Sequence, residues 1–148
     1  MAHLVDIRYD QYGSTTPGGS STPISTSGTA PTRVATVRFP QICGANLIEL
    51  DGIIHVNNDN TNVTSTQYVT VEIRRGALLI YQANIEIDGE AVDDYTFVTF
   101  KHIDPLLSRC MDNVEYTLSI HANVSNMFFH TPVNFTAKRY LIDNNVGQ

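Results

Sequence analysis

The 148-residue sequence predicts an all-β protein, an antiparallel β-sandwich of jelly-roll type. Apolar and polar residues alternate with a period of two in run after run, and turn residues separate these runs at short intervals. No long segment has the apolar spacing of an amphipathic helix, and strands and helices do not alternate as they do in a parallel sheet. Immunoglobulin-like wiring is the second choice, but the chain has no Trp for the Cys-Trp-Cys pattern of antibody domains.

Composition limits the domain count and the class of partner. A chain of this length makes about one domain, and 42% hydrophobic residues allow a buried core. The formal net charge is −6 and Lys and Arg form no basic stripe, so we expect no nucleic-acid partner. No apolar run approaches the roughly 18 residues of a membrane span, and the first residues lack the pattern of a signal peptide.

The first twelve residues predict a β-strand. Val5, Ile7 and Tyr9 fall on one face at a period of two, whereas the charged Asp6 and Arg8 fall on the other. A detached strand can add itself to the open sheet edge of a neighbouring subunit, because main-chain hydrogen bonds supply affinity and alternate side chains fill pockets. The residues expected to form this assembly arm are Leu4, Val5, Ile7 and Tyr9.

A linker separates the arm from the remainder of the chain. Gly, Ser, Thr and Pro dominate residues 10–32, a composition typical of flexible tethers. The sequence therefore predicts three parts, which are an N-terminal donor-strand-like arm over 1–12, a flexible linker over 13–32 and a jelly-roll domain over 33–148.

The strands of the domain follow from the same period. Ala35, Val37 and Phe39 mark the first strand, and a second follows over 46–56 with a bulge or tight bend expected at Asp51-Gly52. Further strands are predicted over 78–87, 95–103 and 133–141. In the two clearest runs, the side chains expected to face the core are Val69, Val71, Ile73, Tyr116, Leu118 and Ile120.

Two segments between strands carry separate expectations. Asp104-Pro105 predicts one helical turn, because Pro suits the first helical position behind an Asp cap. Met127, Phe128 and Phe129 form a hydrophobic loop between the last two strands, which we expect to be an interface loop.

The sequence contains no motif for catalysis. A nucleophile elbow, a phosphate-binding loop, an HExxH pair and a dinucleotide-binding turn are all missing, so we expect no enzyme, no cofactor and no metal site. His102 and Asp104 share one face of a strand, but exposed polar residues at a strand end explain them better. The loop Asn57–Asn62 offers oxygen ligands for Ca²⁺, yet it has one carboxylate and no closing Glu.

Cys43 and Cys110 allow three states. They are two buried thiols, a disulfide within the chain or a disulfide between chains. Two cysteines alone do not make a zinc site.

The strand pattern resembles that of a known group of proteins. Ala35–Gly52, Val69–Arg74, Tyr95–Phe100 and Tyr116–Ile120 are similar in order and spacing to the small jelly-roll proteins of the spore surface, exosporium and spore appendages of Firmicutes, and more distantly to C1q/TNF-like fibre heads. The resemblance covers residues 33–142. It implies extracellular structural assembly without cofactor or catalysis. It also implies synthesis without a signal peptide, since spore coats are laid down inside a mother cell.

The arm and the resemblance together predict a function. We expect a self-assembling structural subunit of an extracellular fibre, appendage or spore-surface layer, joined to copies of itself by N-terminal strand exchange. The alternative is a fibre-head binding module that recognises a glycan or a protein through loops such as Asn57–Asn62 and Asn123–His130.

Overall fold

The computed structural model describes residues 1–12, 21–60, 65–87, 95–106 and 109–142, with the backbone alone at 11 and 12. These ranges contain nine strands, and no helix in them is long and apolar enough to cross a membrane. The strands are β1 (Ala2–Tyr12), β2 (Ser21–Pro23), β3 (Thr32–Ile42), β4 (Asn46–Asn58), β5 (Tyr68–Arg75), β6 (Leu78–Glu86), β7 (Tyr95–Leu106), β8 (Met111–Ala122) and β9 (Met127–Ile142).

The strands form two antiparallel sheets that pack face to face, which confirms the predicted sandwich. Sheet A has the order β1-β9-β4-β7, and β2 lies beside β9 as well. Sheet B has the order β3-β8-β5-β6. Apart from β1 to β2 and β5 to β6, each step from one strand to the next crosses to the other sheet. Such repeated crossing is the wiring of a jelly roll.

The core lies between the sheets and contains the side chains that the alternation predicted. Val71 and Ile73 of β5 face Leu118 and Ile120 of β8, and all four are fully buried. Val69 and Tyr116 are also fully buried. A strand with one face against a core needs this alternation, so the pattern identified the buried face correctly.

Strand β4 is not interrupted at Gly52, contrary to the prediction. It is continuous from Asn46 to Asn58, and the register with β9 shifts further along, between Ile53 and His55. An added Cβ at Gly52 would lie 2.5 Å from the backbone oxygen of Asn134 and 2.5 Å from the Phe100 ring. Gly is therefore needed here for close packing and not for a turn.

Asp104 and Pro105 belong to strand β7, so the predicted helical turn is wrong at these positions. Asp104 is buried, and its Oδ2 accepts hydrogen bonds from Arg75 Nη1 at 2.6 Å and from the Tyr116 hydroxyl at 2.8 Å. These partners from sheet B hold Asp104 in the strand. Pro105 is tolerated because β7 is an edge strand, where a missing N–H breaks no ladder.

Contacts between the sheets also determine the pKa of Tyr116 and the position of His102. Burial, and then the neighbouring Asp104 carboxylate, raise the pKa of the Tyr116 hydroxyl far above its ordinary value. His102 shares a strand face with Asp104, as the sequence suggested, but its ring stands against Tyr81 with the ring centroids 5.4 Å apart. The two residues are thus packed between the sheets rather than exposed at a strand end.

Part of the predicted linker is ordered structure. Residues 21–23 form β2 on the edge of β9, and Ile24 is buried in the core. Strand β3 begins at Thr32. The stretch over 13–20 lies outside the described residues.

Candidate assembly surface

The N-terminal arm lies on its own chain in this structure. Strand β1 pairs antiparallel with β9, from Ala2 opposite Ile142 to Tyr12 opposite Val133. The arm is therefore docked on its own chain here, whereas the sequence predicted a detached arm. The physical reason is that β9 would otherwise present a row of unpaired backbone groups at the edge of sheet A.

A bulge changes which arm residues share a face. The register shifts between Leu4 and Asp6, so Val5 is the extra residue and the predicted alternation breaks there. Ile7 and Tyr9 lie opposite Lys138 and Thr136 and point away from the core. Leu4 lies opposite Tyr140 on the same side.

The other side of the arm is polar. Asp10 accepts a hydrogen bond from the backbone N–H of Thr36 in β3 at 2.8 Å. Asp6 and Arg8 pair with each other at 3.0 Å. The arm is thus fixed by its backbone ladder and by Asp10, whereas its apolar outer side chains remain uncovered, with Ile7 49% and Tyr9 76% exposed.

We call the side of sheet A that points away from the core the outer face. Two aromatic side chains of β7 lie on it against histidines of β4 and β9. Phe97 contacts His55 edge-on with ring centroids 4.8 Å apart, and Tyr95 contacts His130 edge-on at 4.9 Å. Strand register and alternation place these apolar side chains on the outer face: Leu4, Ile7, Tyr9, Leu47, Ile53, Tyr95, Phe97, Ile103 and Tyr140.

A group of four charged side chains lies in the middle of the outer face. Lys138 Nζ donates to Glu49 Oε1 and to Asp51 Oδ2, each at 3.0 Å. Lys101 Nζ lies 3.2 Å from Glu49 Oε2. The hydrogen bonds from Lys138 and then Lys101 lower the pKa of Glu49, and the two carboxylates raise the pKa of Lys138. Within the described ranges, no group of three His, Cys, Asp or Glu side chains is placed to hold a metal ion.

The two cysteines are bonded within one chain. The sulfur atoms of Cys43 and Cys110 are 2.05 Å apart. Cys43 follows β3 and Cys110 precedes β8, so the bond joins two connections between the sheets at one end of the sandwich. Of the three states that the sequence allowed, the structure contains the intrachain disulfide.

The predicted hydrophobic loop is the first part of strand β9. Met127 and Phe129 point into the core and are almost fully buried, whereas Phe128 is half-buried on the other side. The segment is therefore not an exposed interface loop, because its alternation continues that of the strand. Asn57 and Asn58 likewise end β4, and residues 61–62 of the expected polar loop lie outside the described part of the chain.

The residues that sequence reasoning missed are the outward apolar side chains of β7. Phe97 and Ile103 are exposed although Val98 and Phe100, on the opposite side of the same strand, lie in the core. A strand that is apolar on both faces is typical of burial on both faces. Phe97 and Ile103 beside Val98 and Phe100 are the sequence signal that indicates this second apolar side.

Comparisons with known proteins bear on the fold. No protein-family model matches the sequence, and no curated protein matches it. A solved structure of Eiger TNF from S. frugiperda is similar with a TM-score of 0.53 and 8% identity, and the match covers 98% of each chain. A protein of infectious bursal disease virus, Gx strain, matches with a TM-score of 0.47 and 8% identity over 98% of this chain and 33% of the viral one. The first likeness shows the fold alone, which is a jelly roll.

Proposed function

We propose that this protein is a self-assembling structural subunit of an extracellular fibre, appendage or spore-surface layer, in which copies exchange strand β1. The proposal includes no catalysis and no cofactor. The resemblance to spore-surface proteins supports the location. The arm and the surface beside it support assembly from copies of the same chain.

The observation that carries the proposal is the mismatch between the backbone and the side chains of β1. Its ladder with β9 spans the full strand, yet Ile7 and Tyr9 gain little burial from their own chain. The β1 strand of a second copy could form the same ladder on β9, since the hydrogen bonds involve main-chain atoms. Strand exchange would therefore keep every backbone bond and bring a second chain beside the apolar side chains.

The length of chain between β1 and β2 supports exchange. Tyr12 and Ser21 lie opposite Val133 and His130, which are three residues apart on β9. Three strand residues span about 10 Å, whereas the nine steps from Tyr12 to Ser21 can extend over about 30 Å. Docking in cis does not require this length, and the surplus would let the arm reach a neighbouring subunit.

A lock on the arm tests the exchange. Asp6 lies opposite Arg139, and opposed residues in antiparallel strands have Cα atoms about 4.5–5.5 Å apart, which suits a disulfide. We expect the double variant Asp6→Cys with Arg139→Cys, oxidised as dilute monomer, to form no filaments in electron micrographs. Reduction should restore filaments, and wild-type protein in the same reductant is the control for the native Cys43–Cys110 bond. Filaments of the oxidised monomer would contradict strand exchange.

A further inference from the structure

We propose that the outer face of sheet A binds a second copy of this chain by face-to-face packing. This contact is separate from the exchange of β1 and does not require it. It would use side chains of β4, β7, β9 and the outward side of β1, whichever copy supplies that strand.

The apolar exposure of the sandwich is concentrated on this face. Phe97 is 62% exposed and Ile103 51% exposed in the edge strand β7, and Ile7 and Tyr9 are exposed in the opposite edge strand. Large solvent-exposed apolar side chains at both edges of one sheet indicate a surface that a partner covers in the assembled protein.

The outer side of sheet B has a different character. Its central positions carry Ser119, Glu72 and Gln82 in one cross-strand row and Thr36, Thr117 and Arg74 in the next. Gln82 and Glu72 are hydrogen-bonded to each other, since Gln82 Nε2 donates to Glu72 Oε1 at 3.2 Å. Among the described residues, exposed apolar side chains are therefore spread over the strands of sheet A, whereas those of sheet B are limited to Leu78 and Leu79 at one end of β6.

The size of the face fits an interface between subunits. On β4 it extends from Leu47 to Asn57, ten strand steps or about 33 Å, and four strands make it about 19 Å wide. The flat area is then about 600 Å². Side chains make the accessible area larger than the flat area, so the face approaches the roughly 800 Å² that each partner buries in a stable complex.

The charges on the face point to a copy of the same chain as the partner. Glu49 and Asp51 are matched by Lys101 and Lys138, so these four formal charges sum to zero while the whole chain carries −6. Each charge already has its partner within one subunit. A second copy can thus cover the face without leaving an unpaired charge, whereas a strongly charged partner would find no complementary field.

Sedimentation of the full chain with its arm locked in cis by Asp6→Cys and Arg139→Cys tests this contact. We expect the oxidised protein to form dimers or small closed oligomers at about 10–100 µM. Adding Phe97→Glu should weaken that association at least tenfold, because a carboxylate would be buried at the interface. The matched control is Leu79→Glu, since Leu79 is an exposed apolar residue on an edge strand of sheet B and should leave association unchanged.

The outcomes separate this contact from strand exchange. Circular dichroism should show that both Glu variants stay folded, since both positions are exposed. A monomer at every concentration for the locked protein, or equal association of Phe97→Glu and Leu79→Glu, would overturn the contact. Filaments of the locked protein that dissociate with Phe97→Glu would support the contact and contradict strand exchange.

Discussion

Gly52 shows how one residue without a side chain allows close packing within sheet A. The space for its Cβ is occupied by the backbone oxygen of Asn134 and by the Phe100 ring. We expect Gly52→Ala to lower the free energy of unfolding by about 1–3 kcal/mol, because a strand backbone would have to move. Urea denaturation measures the free energy of unfolding of this variant, with Thr136→Ala on the same sheet as control. Equal stability of Gly52→Ala and the wild type would show that the strand yields easily.

Tyr116 and Arg75 connect the two sheets through one buried carboxylate. The Tyr116 hydroxyl and the Arg75 guanidinium both donate to Asp104 Oδ2. We expect Tyr116→Phe to cost about 1.5–3 kcal/mol of stability, since a hydrogen bond to a charged group is lost inside the protein. A double-mutant cycle with Asp104→Asn isolates the pair. Strictly additive effects of the two substitutions would mean that the hydroxyl stabilises through something other than Asp104.

Glu49 predicts a pH dependence of stability. Lys138 and Lys101 lower the pKa of Glu49 below the ordinary 4.5. The stability that the ionised Glu49 contributes is therefore fully present above pH 4.5, and it is lost as the pH falls through the lowered pKa. We expect Glu49→Gln to be less stable than the wild type near pH 7 and equal to it in strong acid. Free energies of unfolding measured from pH 7 to pH 2 test this expectation, with Glu86→Gln, at an exposed position, as control. A constant difference across that range would contradict the charge pairing.

At the scale of the element, the two sides of β1 differ in polarity. Its inner side is polar and is tied to β3 by Asp10, and its outer side carries the apolar side chains. Asp6 and Arg8 pair with each other at the surface, where an ion pair stabilises little. The apolar side should therefore matter more for assembly than the charges.

We expect Ile7→Ser with Tyr9→Ser to weaken assembly at least tenfold, and Asp6→Ala with Arg8→Ala to change it little. Light scattering against protein concentration measures both variants. The same samples in about 1 M NaCl should assemble as they do in low salt, because exposed charge pairs are screened over about 3 Å there while apolar contacts are not. A larger effect of the charge variant, or dissolution by salt, would show that electrostatics join the subunits.

At the scale of the whole molecule, the disulfide constrains the chain more than any single contact. Cys43 and Cys110 are 67 positions apart in the sequence, and the segment between them includes β4 to β7. By the chain-entropy argument, closing a loop of this length stabilises by about 4 kcal/mol. We expect Cys43→Ser with Cys110→Ser to lower the unfolding free energy by roughly that amount, measured in guanidinium chloride. A loss under about 1 kcal/mol would mean that strand pairing already restricts the unfolded chain.

The sequence by itself determined the class of fold and its inner faces. Alternation in β5 and β8 identified Val71 and Leu118 as core residues, because a half-buried strand must place its apolar side chains on one side. It also identified residues 1–12 as a strand-like arm, although it did not say which edge they cover. Local periodicity indicates which side chains of one strand share a face, except where a bulge interrupts the alternation, as at Val5.

Only the tertiary structure decided which faces and edges meet. Asp104 lies in a strand and not in a helical turn because Arg75 and Tyr116 approach it from the other sheet. Phe97 lies in water because β7 presents its second apolar side to the outer face. The arm lies on β9 because that edge was open. Each of these outcomes depends on residues far apart in the chain, and a period of two carries no information about partners at that distance.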